Sequence, residues 1–209
     1  RIYLTDAADD LDFSISAGEL FLKEYDGNQI KIEVSGDDKD KVRVGKDEDA
    51  LILEGIGRVQ NRTVNVWYPK NKEFKEVSVE IAAGTVSLEN DFCAKKLEVE
   101  VAAGEFSSTN TVTANEAEIT VGTGNADMQK LDVQKLDAGC GVGNIDLAIA
   151  GKKSDYDYEI SCAAGSVDVG DDSYSGLGHE KEISNPGSSG KMELECGVGN
   201  ITVTFEKDS

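Results

Sequence analysis

Acidic side chains recur at one fixed place in a repeated motif. Six residues before a series of glycines stand Glu98, Glu118, Asp137, Glu159 and Glu193, with Asp12 in an earlier copy. Three residues after the glycines a second set appears: Asp127, Asp146 and Asp168. If the repeats stack, each set becomes a column of carboxylates on one face. Ca²⁺ takes clustered oxygen ligands, so Glu98, Glu118, Asp137, Glu159, Asp127, Asp146 and Asp168 are the candidate ligands of a weak calcium strip. The same columns also read as a solvated acidic face. Like charges about 5 Å apart in water repel by roughly 0.8 kcal/mol per pair before screening, which a packed core tolerates. No glycine-rich calcium loop accompanies them, and both readings stand.

Three cysteines, Cys140, Cys162 and Cys196, occupy the place that Ile81, Val101 and Val121 fill in earlier copies. That equivalence predicts buried thiols acting as small apolar filler. Their wide spacing along the chain fits no zinc motif. A disulfide between stacked coils needs a torsion that in-register strands rarely give. Cys93, in NDFCAKK, is the thiol expected to be most accessible. The chain has a single histidine, His179, inside a Gly- and Ser-rich stretch, and no nucleophile-elbow motif. Trp67, beside Tyr68, is expected to face outward opposite Val66 and reads as packing near a cap. No phosphate-binding glycine motif occurs, because these glycines interrupt strands and do not open helices.

The elements that must position these residues follow from the repeat. The glycines are Gly18, Gly84, Gly104, Gly124, Gly143, Gly165 and Gly199. From Gly84 onward they recur with a nearly fixed period until Gly165, and the last interval, to Gly199, is longer. Ahead of each, apolar residues alternate, as in Val77, Val79 and Ile81, or Met192, Leu194 and Cys196. Beyond each, alternation resumes, as in Ile145 and Leu147. Period two on both sides of a small-residue step means two half-buried strands per repeat. About twenty residues are too few for a strand–helix–strand crossover. Stacking each strand on its equivalent one coil away, roughly 4.8 Å distant, buries one continuous core. The pattern therefore predicts an all-β parallel β-helix, or β-solenoid, of about 20-residue coils with an irregular N-terminal cap.

Residues 1–209 read as one solenoid domain. Residues 1–75 would form irregular coils and a cap, and residues 76–205 the regular coils, with an insertion near 170–190. The span between Gly18 and Gly84, which lacks the glycine step, would hold about three coils at the later period. Successive coils are expected to stack in chain order, placing acidic groups on four consecutive coils.

Bulk composition bounds the partners. The formal net charge is −20 and 30% of residues are charged, which argues against nucleic acid and anionic lipid. No twenty-residue apolar run predicts a transmembrane helix. A chain that opens on Arg1 reads as one trimmed of a signal or anchor segment.

The tandem glycine steps, flanked by strands and preceded by one ending in Tyr68-Pro69, resemble a bacterial family of domains of unknown function labelled "putative adhesin". The resemblance covers residues 62 to 205, and the N-terminal third by general pattern. It implies a right-handed parallel β-helix outside the cytoplasm, at the cell surface or membrane-tethered. It supplies no catalytic or binding residues. The expected function is a non-catalytic cell-envelope structural or interaction module, acting through a rigid acidic surface on a protein or glycan. The alternative is a carbohydrate-active β-helix enzyme using surface carboxylates. End-to-end self-association through an open solenoid end is a third expectation. No cofactor beyond weakly held calcium is expected.

Overall fold

The structure, a computed structural model, describes residues 1–36, 41–57, 61–176 and 180–208. Thirteen strands are defined among them: β1 (Ile2–Asp6), β2 (Asp10–Ile15), β3 (Gly18–Tyr25), β4 (Gln29–Ser35), β5 (Val42–Asp47), β6 (Ala50–Gly55), β7 (Thr63–Pro69), β8 (Glu73–Leu88), β9 (Phe92–Ile149), β10 (Tyr156–Val169), β11 (Asp172–Ser175), β12 (Lys181–Ile183) and β13 (Gly190–Phe205). They form one open, solenoid-like sheet. β9 alone runs for 58 residues, because its chain passes from one coil to the next without leaving extended geometry. Every second side chain points inward. Val77, Val79, Ile81, Val86 and Leu88 of β8 are buried, as are their equivalents Met192, Leu194, Cys196, Ile201 and Val203 of β13.

The glycine step is a steric requirement. Gly104 has φ +136°, and a Cβ built on it would lie 1.8 Å from the carbonyl oxygen of Gly84. Backbone stacks directly on backbone at this corner, so no side chain fits.

The same contact reveals the order of the coils. The corner at Gly84 sits on Gly18, Gly104 on Gly84, Gly124 on Gly104 and Gly143 on Gly124. Next, however, Gly199 sits on Gly143, and it is Gly199 that Gly165 meets. Strand pairing agrees. β13 pairs in parallel with β9 from Lys191↔Lys135 to Phe205↔Ile149, and its other edge pairs with β10. The expectation of chain-order stacking is corrected here: the last coil is tucked between the two before it. The reason is side-chain likeness. Residues 135–149 and 191–205 carry the same residue at six of their fourteen paired positions, including Cys140/Cys196, Val142/Val198, Asn144/Asn200 and Ile145/Ile201. Such matched shapes pack in register.

The N-terminal end repeats the device. β2 lies between β6 and β8, and β3 between β7 and β8, so the first coil is also interior. The span between Gly18 and Gly84 therefore holds one outer coil, β6–β7, and not three. β4 on β7 and β5 on β6 are antiparallel covers from the same span, and β1, from before Gly18, adds antiparallel to β4. At the outer coil the glycine step is replaced by buried Arg62, whose Nη2 donates to the carbonyl of Ile56 at 2.6 Å. The other end is covered by β11 and β12, both antiparallel to β10, which is where the 170–190 insertion goes.

Candidate functional site

The first acidic column lies on an outward row of the sheet. Ser78 pairs with Glu98, Asp137 with Glu193, and Glu193 with Glu159. Glu118 falls between Glu98 and Asp137, whose charges both push its carboxyl up, after burial as the first cause. Asp137 is also raised, by burial first and then by Glu193 and Glu195. Glu159 is not the neighbour of Asp137, as chain-order stacking had it, because Glu193 stands between them.

Two residues upstream on the same face run Lys96, Lys135 and Lys191, with Glu116 standing in the same row between Lys96 and Lys135. Together with Glu116 they wall an open groove of about 230 Å³ floored by Leu97, Ala117 and Leu136. That volume falls below the usual range for small-ligand pockets. Lys191 Nζ lies 2.7 Å from Glu159 and 3.4 Å from Glu193, so one cation clamps two coils. The surface is thus zwitterionic and not purely acidic. Lysine recurs eight residues before Gly104, Gly143 and Gly199, a signal present in the sequence.

The second column is interrupted. Thr202 pairs with both Asp146 and Asp168, so the interior last coil places a hydroxyl where a carboxylate was expected. Beside it runs a feature that the repeat pattern did not single out. Asn144 donates to the side-chain oxygen of Asn125 at 3.3 Å, Asn200 donates to that of Asn144 at 3.2 Å, and Ser166 donates to that of Asn200 at 2.8 Å. This amide ladder and the aspartates line a second shallow, open groove. The signal was the asparagine directly after the glycine in GTGN, GVGN and GVGN.

Of the seven calcium candidates, only Glu159 joins a cluster of three carboxylates among the described residues. Its companions are Glu180 and Glu182, with all three oxygens within 4.8 Å of one another. Glu180 and Glu182 come from the insertion. Glu98, Glu118, Asp137, Asp127, Asp146 and Asp168 are spread along two rows, and a Ca²⁺ ion takes six to eight oxygens.

The thiols lie inside. Cys196 sits between Cys140 and Cys162 in register, and all three are buried, while Cys93 is half-buried. All four are free. Burial, then Cys162 and Cys140 beside it, pushes the Cys196 thiol up to about 11. Trp67 is half-exposed, with Lys31 Nζ 4.6 Å and Lys23 Nζ 5.7 Å from its ring centroid. His179 lies outside the described residues. No helix of the described residues is long and apolar enough to cross a membrane.

Residues 8–209 match the family model described as Toastrack DUF4097. Among solved structures, one described as a "putative adhesin" from Bacteroides fragilis is similar at 14% identity. The alignment covers 97% of this chain and 95% of that one, with a TM-score of 0.51. A "putative cell adhesion protein" from Clostridium sporogenes aligns over 99% of both chains at 12% identity, with a TM-score of 0.43. At such identities the likeness concerns the fold alone. No curated protein matches the sequence.

Proposed function

The chain belongs to the Toastrack DUF4097 family, as the glycine-step resemblance implied, and from that premise we propose a non-catalytic, adhesin-like interaction module of the bacterial cell envelope. The reading takes the stack as a right-handed solenoid of about 20-residue coils held outside the cytoplasm. The register of β8 on β9, with Val77 opposite Leu97 and Gly84 opposite Gly104, supports the coil length. The observation that carries the function is a mixed-charge row, Lys96–Glu116–Lys135–Lys191, beside the carboxylate row Glu98–Glu118–Asp137–Glu193 on one outward face of the sheet. The walls form an open groove, suited to an extended polar partner and not to an enclosed substrate. A glycan or a protein strand carrying both charges would lie along the rows. Nucleic acid is disfavoured by the −20 net charge.

A glycan and extracellular-protein array tests this, probed with the wild type and with the Lys135→Glu/Lys191→Glu variant, each with and without calcium. The expected result is a discrete set of binders whose signal drops roughly tenfold in the variant. Equal signals would overturn the groove as the binding face. Release of glycan fragments by the wild type would overturn the non-catalytic reading.

A further inference from the structure

The two most exposed large apolar side chains among the described residues are Leu4, at 63%, and Ile2, at 59%, and both belong to β1. β1 is also an end strand of the sheet. Its one partner among the described strands is β4, which it meets antiparallel from Ile2↔Glu33 to Asp6↔Gln29. Arg1 and Val34 exchange both backbone hydrogen bonds at 2.8 Å. Antiparallel ladders alternate, so Tyr3 and Thr5 likewise turn their N–H and C=O toward β4. Ile2 and Leu4 then turn theirs outward. An unpaired row of backbone donors and acceptors coincides with the most exposed apolar side chains among the described residues.

Other edges are blunted in the ways edge strands usually are. β5 carries exposed Arg43, Lys46 and Asp47. β11 has four residues and β12 three, the latter with Lys181 and Glu182. β1 has none of these devices over its apolar stretch. The local charge also differs from that of the whole. Across β1 with Arg1, and β4, Arg1 and Lys31 balance Asp6 and Glu33, two against two, in a chain of net −20. A second copy meets little net repulsion at this end.

We propose that β1 is a self-association edge that pairs antiparallel with β1 of a second copy. The two-fold axis passes at Tyr3. There Tyr3 faces Tyr3 of the second copy as a non-hydrogen-bonded pair, and Ile2 exchanges both backbone bonds with Leu4 of the second copy. Leu4 does the same with Ile2 of the second copy. The register satisfies all four outward groups of those two residues and lays Ile2 and Leu4 of both copies against one another on one face. The sheet becomes continuous through two solenoids joined end to end.

Sedimentation velocity over a range of concentration and salt is the test. The mass is expected to rise from 22.3 kDa toward twice that value as concentration increases, and added salt should strengthen the dimer by screening the net charge. Leu4→Pro removes only an outward N–H and leaves the β4 ladder intact, so it should weaken association roughly tenfold at unchanged melting temperature. Ile2→Lys/Leu4→Lys should do the same through charge. Tyr3→Cys should cross-link as a dimer under oxidation, and Thr5→Cys should not. A wild-type chain that stays monomeric at its highest soluble concentration overturns the proposal. So does a dimer that Leu4→Pro and the double lysine variant both leave unchanged, or one that Thr5→Cys traps as well as Tyr3→Cys.

Discussion

Between Gly84 and Gly143 the chain stacks as it is written, each coil resting on the one before. At both ends it does not. The first coil, β2–β3, lies beneath the later β6–β7, and the last, β13, lies beneath the earlier β10. A middle coil has two neighbours by default. A terminal coil stacked in order would have one, and its end would fray. Tucking the terminal coils inside gives them two ladders as well and moves the outer position to segments held by the chain at both ends. Those outer coils are then covered by short antiparallel strands. The contrast shows that a solenoid can protect its ends through order of assembly, without a separate capping domain.

The sharpest way to break this comparison is truncation. A chain ending at residue 189 lacks β13 and the short 3-10 turn Glu206–Asp208 that follows it. If coils stacked in chain order, β10 would keep its place on β9 and retain hydrogen-exchange protection. In the interleaved order β10 loses its whole parallel partner, from Tyr156↔Gly190 to Val169↔Val203. Amides of residues 156–169 should therefore become unprotected together, while the β8–β9 ladder stays protected. Protection of residues 156–169 in the truncated chain would refute the interleaving.

Much of this was legible in the residues, and the part that was not has a physical cause. Period-two alternation on both sides of glycine fixes strands, and a recurrence of about twenty residues leaves room for little but a stack. Alternation is blind, however, to whether a strand pairs in parallel or antiparallel. Hence β4 and β5 read as extra coils. Chain-order stacking was the simplest reading of the spacings, yet CGVGNI at 140–145 and 196–201 was already a mark of adjacency. The recurring lysines at 96, 135 and 191 and the asparagines at 125, 144 and 200 are equally visible in the sequence, but neither residue type by itself points to a bound ion as stacked carboxylates do. Glu180 and Glu182 had no repeat position, so nothing in the sequence placed them beside Glu159.

A smaller effect sharpens the comparison inside the core. Cys196 is the centre of the thiol row that joins the tucked coil to both of its neighbours. Cys196→Ser buries a hydroxyl and should cost about 1–3 kcal/mol in denaturant unfolding. Cys196→Val keeps an apolar side chain and should stay within about 1.5 kcal/mol of the wild type. Under native alkylation, read by mass spectrometry, Cys93 should react first and Cys140, Cys162 and Cys196 only on unfolding. Early labelling of Cys196 would mean that β13 opens readily and that its two ladders confer no advantage.

The smallest effect separates the stacked face from the end cover by pH. Asp137, in the stack, has its carboxyl raised by burial and then by Glu193 and Glu195. Its ionised form is disfavoured in the folded protein, so its contribution to stability grows as pH falls through the folded value. Asp157, on the outer coil, is lowered first by the backbone N–H of Asn185 and then by the Ser188 hydroxyl, each donating to Oδ1 at 2.7 Å. Its stabilisation is full above the ordinary carboxylate value and is lost as pH falls through the lowered one. Asp137→Asn should therefore raise the melting temperature at neutral pH, with the gain vanishing in acid. Asp157→Asn should lower it at neutral pH, again with no difference in strong acid. Both shifts should be small, because water and salt screen charges on an open face. Melting curves of the two variants, from neutral pH down into strong acid, check the signs. If Asp137→Asn were destabilising at neutral pH, the stacked carboxylates would be held by a bound cation, and the calcium reading of that row would regain its force.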